Sequence, residues 1–221
     1  MIESFRPPKG MCLYIGDIGD NRFERQNIKL YKIKEPILPL DQINLHETTS
    51  NWEVFTFQYP NGQAYNAESI LIDSNSREFI VITKLDEPPY SLVFSASLES
   101  NSEMLDTGIR LPLNLATDAT SSADGQVWTN VKYLKTSFEI WLHFQVVMIR
   151  TYTGAYLWPR RKNRTSSKNS IIDILKEREC LVSVGIQRQG EGVALNPEGT
   201  SYFTHSEFVN QTIWKYDILS K

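Results

Sequence analysis

The fold is decided by the stretch Glu68-Ser-Ile-Leu-Ile-Asp-Ser-Asn-Ser-Arg-Glu-Phe-Ile-Val-Ile-Thr-Lys84. Two short runs of β-branched and aromatic residues flank a polar cluster of the kind that forms turns. The pattern predicts two antiparallel strands joined by a tight turn, with an acid before the first strand and a lysine after the second. Both charged residues then lie at the open end of one hairpin.

The same plan recurs further along the chain. Glu191 and Glu207 bracket a second such unit, and in both units the first and last polar residues lie sixteen positions apart. Asp118 opens a third unit that should close at Arg150, and Glu3 precedes a fourth near the N-terminus. Strand-like segments of this type fill most of the sequence, and Ser170–Arg178 is the one segment whose pattern favours a helix. We therefore predict an all-β protein.

Antiparallel units that recur every ~40–50 residues are typical of β-propeller blades. Glu68 and Asp118 are fifty positions apart. We predict that residues 1–221 form a single, partial β-propeller domain with about four blades. A β-sandwich also has short strands and frequent turns, and it is the alternative, but it does not predict an acid at the start of every unit.

In a propeller blade, the start of the first strand and the end of the second lie on the same face. The charged and amide residues at these positions should therefore ring one mouth of the central channel. Those at the starts of first strands are Glu68, Asp118 and Glu191. Those at or after the ends of second strands are Asp17, Asp20, Asn21, Arg22, Lys84, Arg150 and Glu207.

This ring suggests three kinds of chemistry. Carboxylate and amide oxygens suit Ca²⁺, for which Glu68, Asp118 and Glu191 are the candidate ligands. The cations Lys84 and Arg150, together with Arg22, could hold a phosphate or carboxylate of a small anionic ligand. The plainer alternative is that the charged groups only pair with one another, or tie first strands to neighbouring blades. Whether the protein is an enzyme is left open; if it is one, we expect a metal-assisted phosphoester or ester hydrolase.

The motifs also resemble a known family. Leu13-Tyr-Ile-Gly-Asp-Ile-Gly-Asp-Asn-Arg22 is similar to a signature of largely uncharacterised bacterial and eukaryotic β-propellers, which are distantly phytase-like or esterase-like. Asn66-Ala-Glu-Ser-Ile-Leu and Gln189-Gly-Glu-Gly-Val-Ala resemble later blades of that family, in the same order. The resemblance implies a propeller, but the family has no settled reaction.

The resemblance carries an expectation about the intact protein. Members of the family have a further N-terminal blade, of which only Met1-Ile-Glu3 has a counterpart here. We therefore expect an N-terminally truncated form of a five- or six-bladed ring. The chain begins without the apolar segment of a signal peptide. For the intact protein we expect an extracellular or secretory location.

Composition narrows the possible partners. The net charge is −3 and the isoelectric point is about 5.7, which argues against nucleic acid because such binders need a basic field. The longest apolar-leaning run, Ile140–Ile149, is shorter than the ~20 residues that span a membrane. The remaining partners are a small anionic ligand or, if the propeller is a non-catalytic extracellular scaffold, a protein or glycan.

The third unit, which begins at Asp118, is longer than the other units. Residues 127–145 have no counterpart in the family pattern, and without them the unit has the length of the others. The segment starts with a codon that must begin GT and can end in TTTCAG. We predict a retained intron or gene-model error. The alternative is a real insertion whose contact residues are Trp128, Trp141 and Phe144.

Overall fold

The computed structural model describes residues 2–5, 12–36, 48–122, 127–130, 141–144, 146–159, 170–185, 187–196 and 199–218. These residues form antiparallel sheets. Sheet 1 contains β1 (Ile2–Phe5), β2 (Cys12–Asp17), β3 (Ile28–Lys34) and β4 (Trp52–Phe57). Sheet 2 contains β5 (Ala67–Asp73), β6 (Glu78–Thr83), β7 (Ser91–Ser97) and β8 (Leu105–Leu111).

The second half of the chain continues this arrangement. A small separate sheet contains β10 (Val127–Asn130) and β11 (Trp141–Phe144), which follow β9 (Ala116–Ser121) in the chain. Sheet 3 contains β9 with β12 (Val146–Thr151), β13 (Ala155–Pro159) and β14 (Cys180–Val182). Sheet 4 contains β15 (Gly190–Leu195), β16 (Ser201–Ser206) and β17 (Trp214–Asp217). The predicted all-β class is confirmed.

Sheets 1 to 4 share one connectivity. Within each sheet, every strand pairs with an antiparallel neighbour in the order in which the strands of that sheet occur along the chain. The first strands contact one another in turn, β1 with β5, β5 with β9, and β9 with β15. The start of each first strand therefore lies near the corresponding part of the next sheet.

Alternation along the strands of sheet 2 explains how neighbouring sheets pack. Ile70 and Ile72 belong to the apolar cluster between sheets 1 and 2, whereas Leu71 belongs to the cluster between sheets 2 and 3. In β6, Phe79 and Ile80 separate in the same way. Successive side chains of a strand point to opposite faces, so a continuous apolar run indicates a sheet that is covered on both sides.

The described residues also contain one α-helix and a short 3₁₀ turn, Pro60–Gly62. α1 spans Ile171–Ile174, and Ser170 caps it by accepting the backbone N–H of Asp173 at 3.2 Å. The helix predicted at this place is confirmed, but it is shorter than the predicted Ser170–Arg178. Its buried residues pack against sheets 2 and 3. Within the described residues, no helix has the length and apolarity needed to cross a membrane.

The described strands of the extra segment, β10 and β11, form a sheet separate from sheet 3. β10 and β11 pair only with each other, while β9 and β12 pair directly, with Ser121 opposite Val147. Ser122 closes this pairing through its backbone N–H to the Val146 carbonyl at 2.9 Å. The predicted Asp-Gly turn at 123–126 and residues 131–140 lie outside the described residues. The origin of the segment as a retained intron stays a prediction.

Candidate functional site

The site is built on a repeated β-bulge at the start of the first strand. In sheet 2, Ala67 pairs with Thr83 and Ser69 pairs with Ile82, so Glu68 is an extra residue with no partner opposite it. A bulge of this kind leaves one residue outside the ladder and re-aims its side chain. Glu68 therefore projects at the end of the sheet instead of joining either packed face.

The bulge recurs at equivalent positions in sheets 3 and 4. In sheet 4 the extra residue is Glu191, between Gly190 and Gly192. In sheet 3 it is Thr117, because the register shifts between the residues before and after it. The residue equivalent to the two glutamates is thus Thr117, and Asp118 lies one position further along the strand.

The three bulge residues line one cavity of about 230 Å³. Glu68, Thr117 and Glu191 come from three different sheets, and the turn after β2 completes the wall. The lining residues are Gly16, Ile18, Gly19, Ala67, Glu68, Thr117 and Glu191. Two of the three predicted Ca²⁺ ligands thereby face the same space.

Lys84 crosses from sheet 2 to sheet 3 beside this cavity. Its Nζ donates to Glu68 Oε2 at 2.7 Å and to the Tyr152 hydroxyl at 2.7 Å. The ammonium also lies 4.4 Å from the centre of the Tyr152 ring. Although burial opposes the charged form, these two hydrogen bonds raise the pKa of Lys84. Lys84 therefore stays cationic and fixes one oxygen of Glu68.

Of the two cavity glutamates, Glu191 has the fewer constraints. Within the described part of the chain, it makes no hydrogen bond or ion pair within 4.0 Å. Removal from water raises the pKa of Glu191 to about 7; Lys84 opposes this shift, and the negative charges of Glu68 and Glu207 add to it. At neutral pH the group exists in both protonation states, so it can exchange a proton or gain a cation.

Asp118 has a structural role instead. Its Oδ2 accepts the backbone N–H of Val193 in β15 at 2.8 Å, and its Oδ1 accepts the N–H of Ala119 at 2.8 Å. Burial raises the pKa of Asp118 to about 7 in spite of these two bonds. The carboxylate therefore ties sheet 3 to sheet 4. This is the plainer alternative given above, in which such groups tie first strands to their neighbours.

The predicted residues of the turn after β2 mostly bond within their own neighbourhood. Asp17 pairs with Arg25 at 2.6 Å, and Asp20 accepts the Arg25 backbone N–H at 2.8 Å. Burial opposes ionisation of Asp20, but backbone N–H donors hold its pKa below the usual range. Asn21 accepts from Asn66 at 2.8 Å, which anchors the turn next to the cavity.

The other predicted ligand-binding residues are not among those that line the cavity. Arg22 and Glu207 are exposed. The Glu207 backbone N–H donates to Gln189. Arg150 is only 1% exposed; it belongs to β12 and lies against Gly190. Of the ten predicted residues, Glu68 and Glu191 line the cavity and Lys84 bonds to Glu68, while Glu207 and Arg150 act electrostatically on Glu191. A single ring at a channel mouth stays a prediction.

The cavity supplies few protein oxygens that could coordinate a metal ion. Among the described residues, no three His, Cys, Asp or Glu side chains are arranged to hold one. Glu68 and Glu191 supply two carboxylates, and the hydroxyl of Thr117 donates to the Gly190 carbonyl at 2.7 Å. Ca²⁺ takes ~6–8 oxygen ligands, so these residues would hold it only together with ligand oxygens and water.

Comparison with known proteins adds no family. No protein-family model matches the chain, and a search of curated proteins finds no significant similarity. The resemblance to the family with the Tyr14–Arg22 signature stays a prediction.

Three residues of the site and its surroundings, Thr117, Tyr152 and Arg25, were not predicted from the sequence. A usable signal for Thr117 was the small residue that precedes each bulge, because Ala116 occupies the position that Gly190 occupies in sheet 4. The search for a recurring acid selected Asp118 instead. Tyr152 had no such signal, since its partner Lys84 belongs to another sheet. Arg25 could have been found, because it lies only eight positions after Asp17 and five after Asp20, its partners in the same turn.

Proposed function

We propose that this chain is a β-propeller that binds a small anionic ligand at one end of its channel, through a Ca²⁺ ion held in part by Glu68 and Glu191. The observation that carries the proposal is the shared cavity of these two carboxylates. They reach it from equivalent bulges of sheets 2 and 4.

The propeller is supported by the arrangement of the sheets. Consecutive antiparallel meanders stack face to face, and their first strands lie side by side in chain order. Propeller blades have this connectivity, with the first strand nearest the axis. On this interpretation the cavity lies at one end of the axis.

The chemistry of the cavity favours a cation in direct contact with the protein. The carboxylate of Glu191 has no described hydrogen-bond donor, and Glu68 gives only one oxygen to Lys84. An anion that entered the cavity without a cation would be repelled by the carboxylates of Glu68 and Glu191. A Ca²⁺ ion between them leaves most of its coordination positions for carboxylate or phosphate oxygens of a ligand, and Lys84 lies beside Glu68 to add a second cation.

The proposal is tested by thermal unfolding in calcium gluconate against sodium gluconate at equal ionic strength. Saturating Ca²⁺ should raise the melting temperature by about 5 °C, because a ligand that binds only the folded state stabilises it. Phosphate or acetate, added afterwards, should raise it further only when Ca²⁺ is present. Release of p-nitrophenol from phosphate and carboxylate esters, measured in parallel, tests whether binding leads to hydrolysis.

A matched pair of double variants locates the effect. Glu68→Gln with Glu191→Gln should abolish the response to Ca²⁺. Glu53→Gln with Glu99→Gln removes the same charge from exposed ion pairs and should leave the response unchanged. Equal responses in both double variants, or no response in the unaltered protein, would overturn the proposal.

A second candidate is a non-catalytic scaffold that binds a protein or glycan. It is favoured by one observation: large apolar side chains are exposed at the edge of sheet 4, where Val209 is 83%, Ile213 66% and Trp214 45% exposed. Exposed apolar groups that cluster are common at interaction surfaces. A melting temperature that does not respond to Ca²⁺, together with quenching of Trp214 fluorescence by a soluble glycan or protein partner, would favour this candidate over the first.

A further inference from the structure

The outer edge of sheet 4 differs from the outer edges of the other sheets. The outer edge is the one formed by the last strand, which is β4, β8, β14 or β17 in sheets 1 to 4. Sheets 1 to 3 have four strands each, whereas sheet 4 has three in the part of the chain that the structure describes. The backbone groups of an edge strand readily pair with another chain, so proteins usually protect such edges. An unprotected edge is therefore a candidate interface.

The outer edges of sheets 1 to 3 are protected. At β4, Asn101 accepts the backbone N–H of Thr56 at 2.8 Å, and the N–H of Met104 donates to the Gln58 carbonyl at 2.8 Å. β8 is interrupted by a register shift and by Gly108, whose φ is +76°. β14 has only three residues. Edges that are covered, bulged or short pair poorly with a further strand.

β17 presents a regular edge. The backbone N–H of Ile218 donates at 2.7 Å to the carbonyl that precedes β16. Backbone groups alternate in direction along a strand, so those of Trp214 and Tyr216 also face β16. Those of Lys215 and Asp217 therefore face away from the sheet. Within the described residues, these outward N–H and C=O groups have no hydrogen-bond partner.

The side chains of β17 combine both signs of charge with an open apolar surface. Lys215 Nζ lies 3.1 Å from Asp217 Oδ1 on one face of the strand, and both side chains are more than half exposed. Trp214 and Tyr216 lie on the other face, where both approach Gly185. Trp214 is nevertheless 45% exposed. A partner strand at this edge would cover its ring.

We propose that two copies of this chain dimerise through β17, which pairs in antiparallel register with β17 of the second copy about a two-fold axis at Tyr216. Lys215 of each copy then lies opposite Asp217 of the other. Each of these two pairs exchanges both backbone hydrogen bonds and brings opposite charges together. Trp214 lies opposite Ile218 of the second copy, and the two copies of sheet 4 become one continuous sheet.

The charges of β17 favour a second copy as its partner and select this register. Lys215 and Asp217 are placed symmetrically about Tyr216, so antiparallel pairing of β17 with itself satisfies both charges. An antiparallel register shifted by two residues sets lysine against lysine or aspartate against aspartate. Parallel pairing in register does the same. Like charges directly opposite each other destabilise a sheet, so one arrangement is preferred.

Sedimentation velocity over a range of concentrations tests the proposal. The mass should rise from the 25.5 kDa of one chain towards twice that value as the concentration increases. The interface is small, so the dimer should be weak. Protein that stays at the mass of one chain up to about 1 mM would overturn the proposal. It would leave the apolar patch of sheet 4 to a different partner.

A mixing experiment makes the result specific. Lys215→Glu makes this face of β17 acidic, and Asp217→Lys makes it basic, so each variant alone should dimerise about tenfold or more weakly. An equimolar mixture should recover the dimer, because acidic groups then face basic ones. Arg110→Glu, at an exposed ion pair on the edge of sheet 2, is the control and should dimerise like the unaltered protein. No recovery in the mixture, or an equal loss in the control, would contradict the interface.

A proline tests the backbone pairing. Lys215→Pro removes an outward N–H, which an edge strand tolerates. It should keep the circular dichroism of the unaltered protein and abolish the dimer. Lys215→Ala loses the same charge but retains the N–H, so it should dimerise more strongly than Lys215→Pro. Equal dissociation constants for the two would contradict strand pairing; if Lys215→Pro does not fold, the mixing experiment decides alone.

The outcome is independent of the proposed Ca²⁺ binding. The dimer should form in the presence of EDTA, and Glu68→Gln with Glu191→Gln should dimerise like the unaltered protein. A dimer that does not respond to Ca²⁺ supports the β17 interface and not the calcium site. A protein that responds to Ca²⁺ and never dimerises supports the calcium site and not the interface.

Discussion

Glu68 and Glu191 occupy the same structural position in two different sheets. Each is the extra residue of a β-bulge, and each is followed sixteen positions later by a residue just beyond the second strand, Lys84 or Glu207. Both glutamates face one cavity. A repeated backbone irregularity brings the two carboxylates together here.

The first prediction concerns the dependence of stability on pH. The folded protein raises the pKa of Glu191 and of Asp118 to about 7, so it binds more protons than the unfolded chain between about pH 4.5 and 7. Stability should therefore fall as pH rises through this range. Glu191→Gln removes part of that slope and should raise the free energy of unfolding at pH 8 by about 1–2 kcal/mol, after allowance for its partial exposure.

Urea unfolding at pH 5 and pH 8 measures this difference. At pH 5 Glu191→Gln should be close to the unaltered protein, since the carboxyl is then protonated in the fold. Glu99→Gln, at an exposed pair with Arg77, is the control and should change the slope little. A Glu191→Gln variant with the unaltered pH slope would contradict the cause assigned to the shift.

The second prediction concerns the ion pair beside the cavity. Lys84→Met leaves the Glu68 carboxylate without its cation and should lower the free energy of unfolding by about 1–3 kcal/mol. Adding Glu68→Gln should recover part of the loss, which a double-mutant cycle measures. Lys32→Met, at the more exposed pair with Glu53, should cost under about 1 kcal/mol. Strict additivity of the two changes would argue against the coupling.

The third prediction concerns Gly190. The Cβ of Gly190→Ala would lie 1.9 Å from Arg150 Nη2, so the buried guanidinium must move. We expect a loss of about 2–3 kcal/mol, typical of overpacking in a core. Gly19→Ala is the matched control, because nothing lies within 4 Å of its added Cβ. Similar melting temperatures for the two variants would show that the guanidinium is free to move.

The fourth prediction concerns residues 127–145. Thr117 and Tyr152 are equivalent to Glu68 and Lys84 but lie 35 positions apart; without these nineteen residues the separation is sixteen, as in the other two sheets. Deleting the segment should therefore keep the pairing of β9 with β12 and leave stability equal or higher. Circular dichroism and thermal unfolding of the deletion variant measure this, and transcripts that join Gln126 to Val146 would establish its origin. Loss of the folded state would contradict the prediction.

Sequence patterns were sufficient for part of the site. The spacing from Glu68 to Lys84 recurs from Glu191 to Glu207 and by itself predicts equivalent positions for the two glutamates. Spacing could not place Thr117, because the recurring pattern has an acid at the start of each unit and Thr117 is not acidic. It also grouped Arg150 with the channel residues, although the alternation of β12 turns this side chain into the space between sheets 3 and 4.

What the sequence determined by itself is the strands and their order. A strand is set by neighbouring residues, and β-branched or aromatic runs such as Phe79-Ile-Val-Ile leave little choice of local structure. The tertiary structure alone decided which polar groups meet. Lys84 and Tyr152 are 68 positions apart and touch only because sheets 2 and 3 stack in one register. Within each of these sheets the bulge, at Glu68 or at Thr117, shifts the pairing by one residue, so that the residue after the bulge faces the opposite side from the one that unbroken alternation predicts.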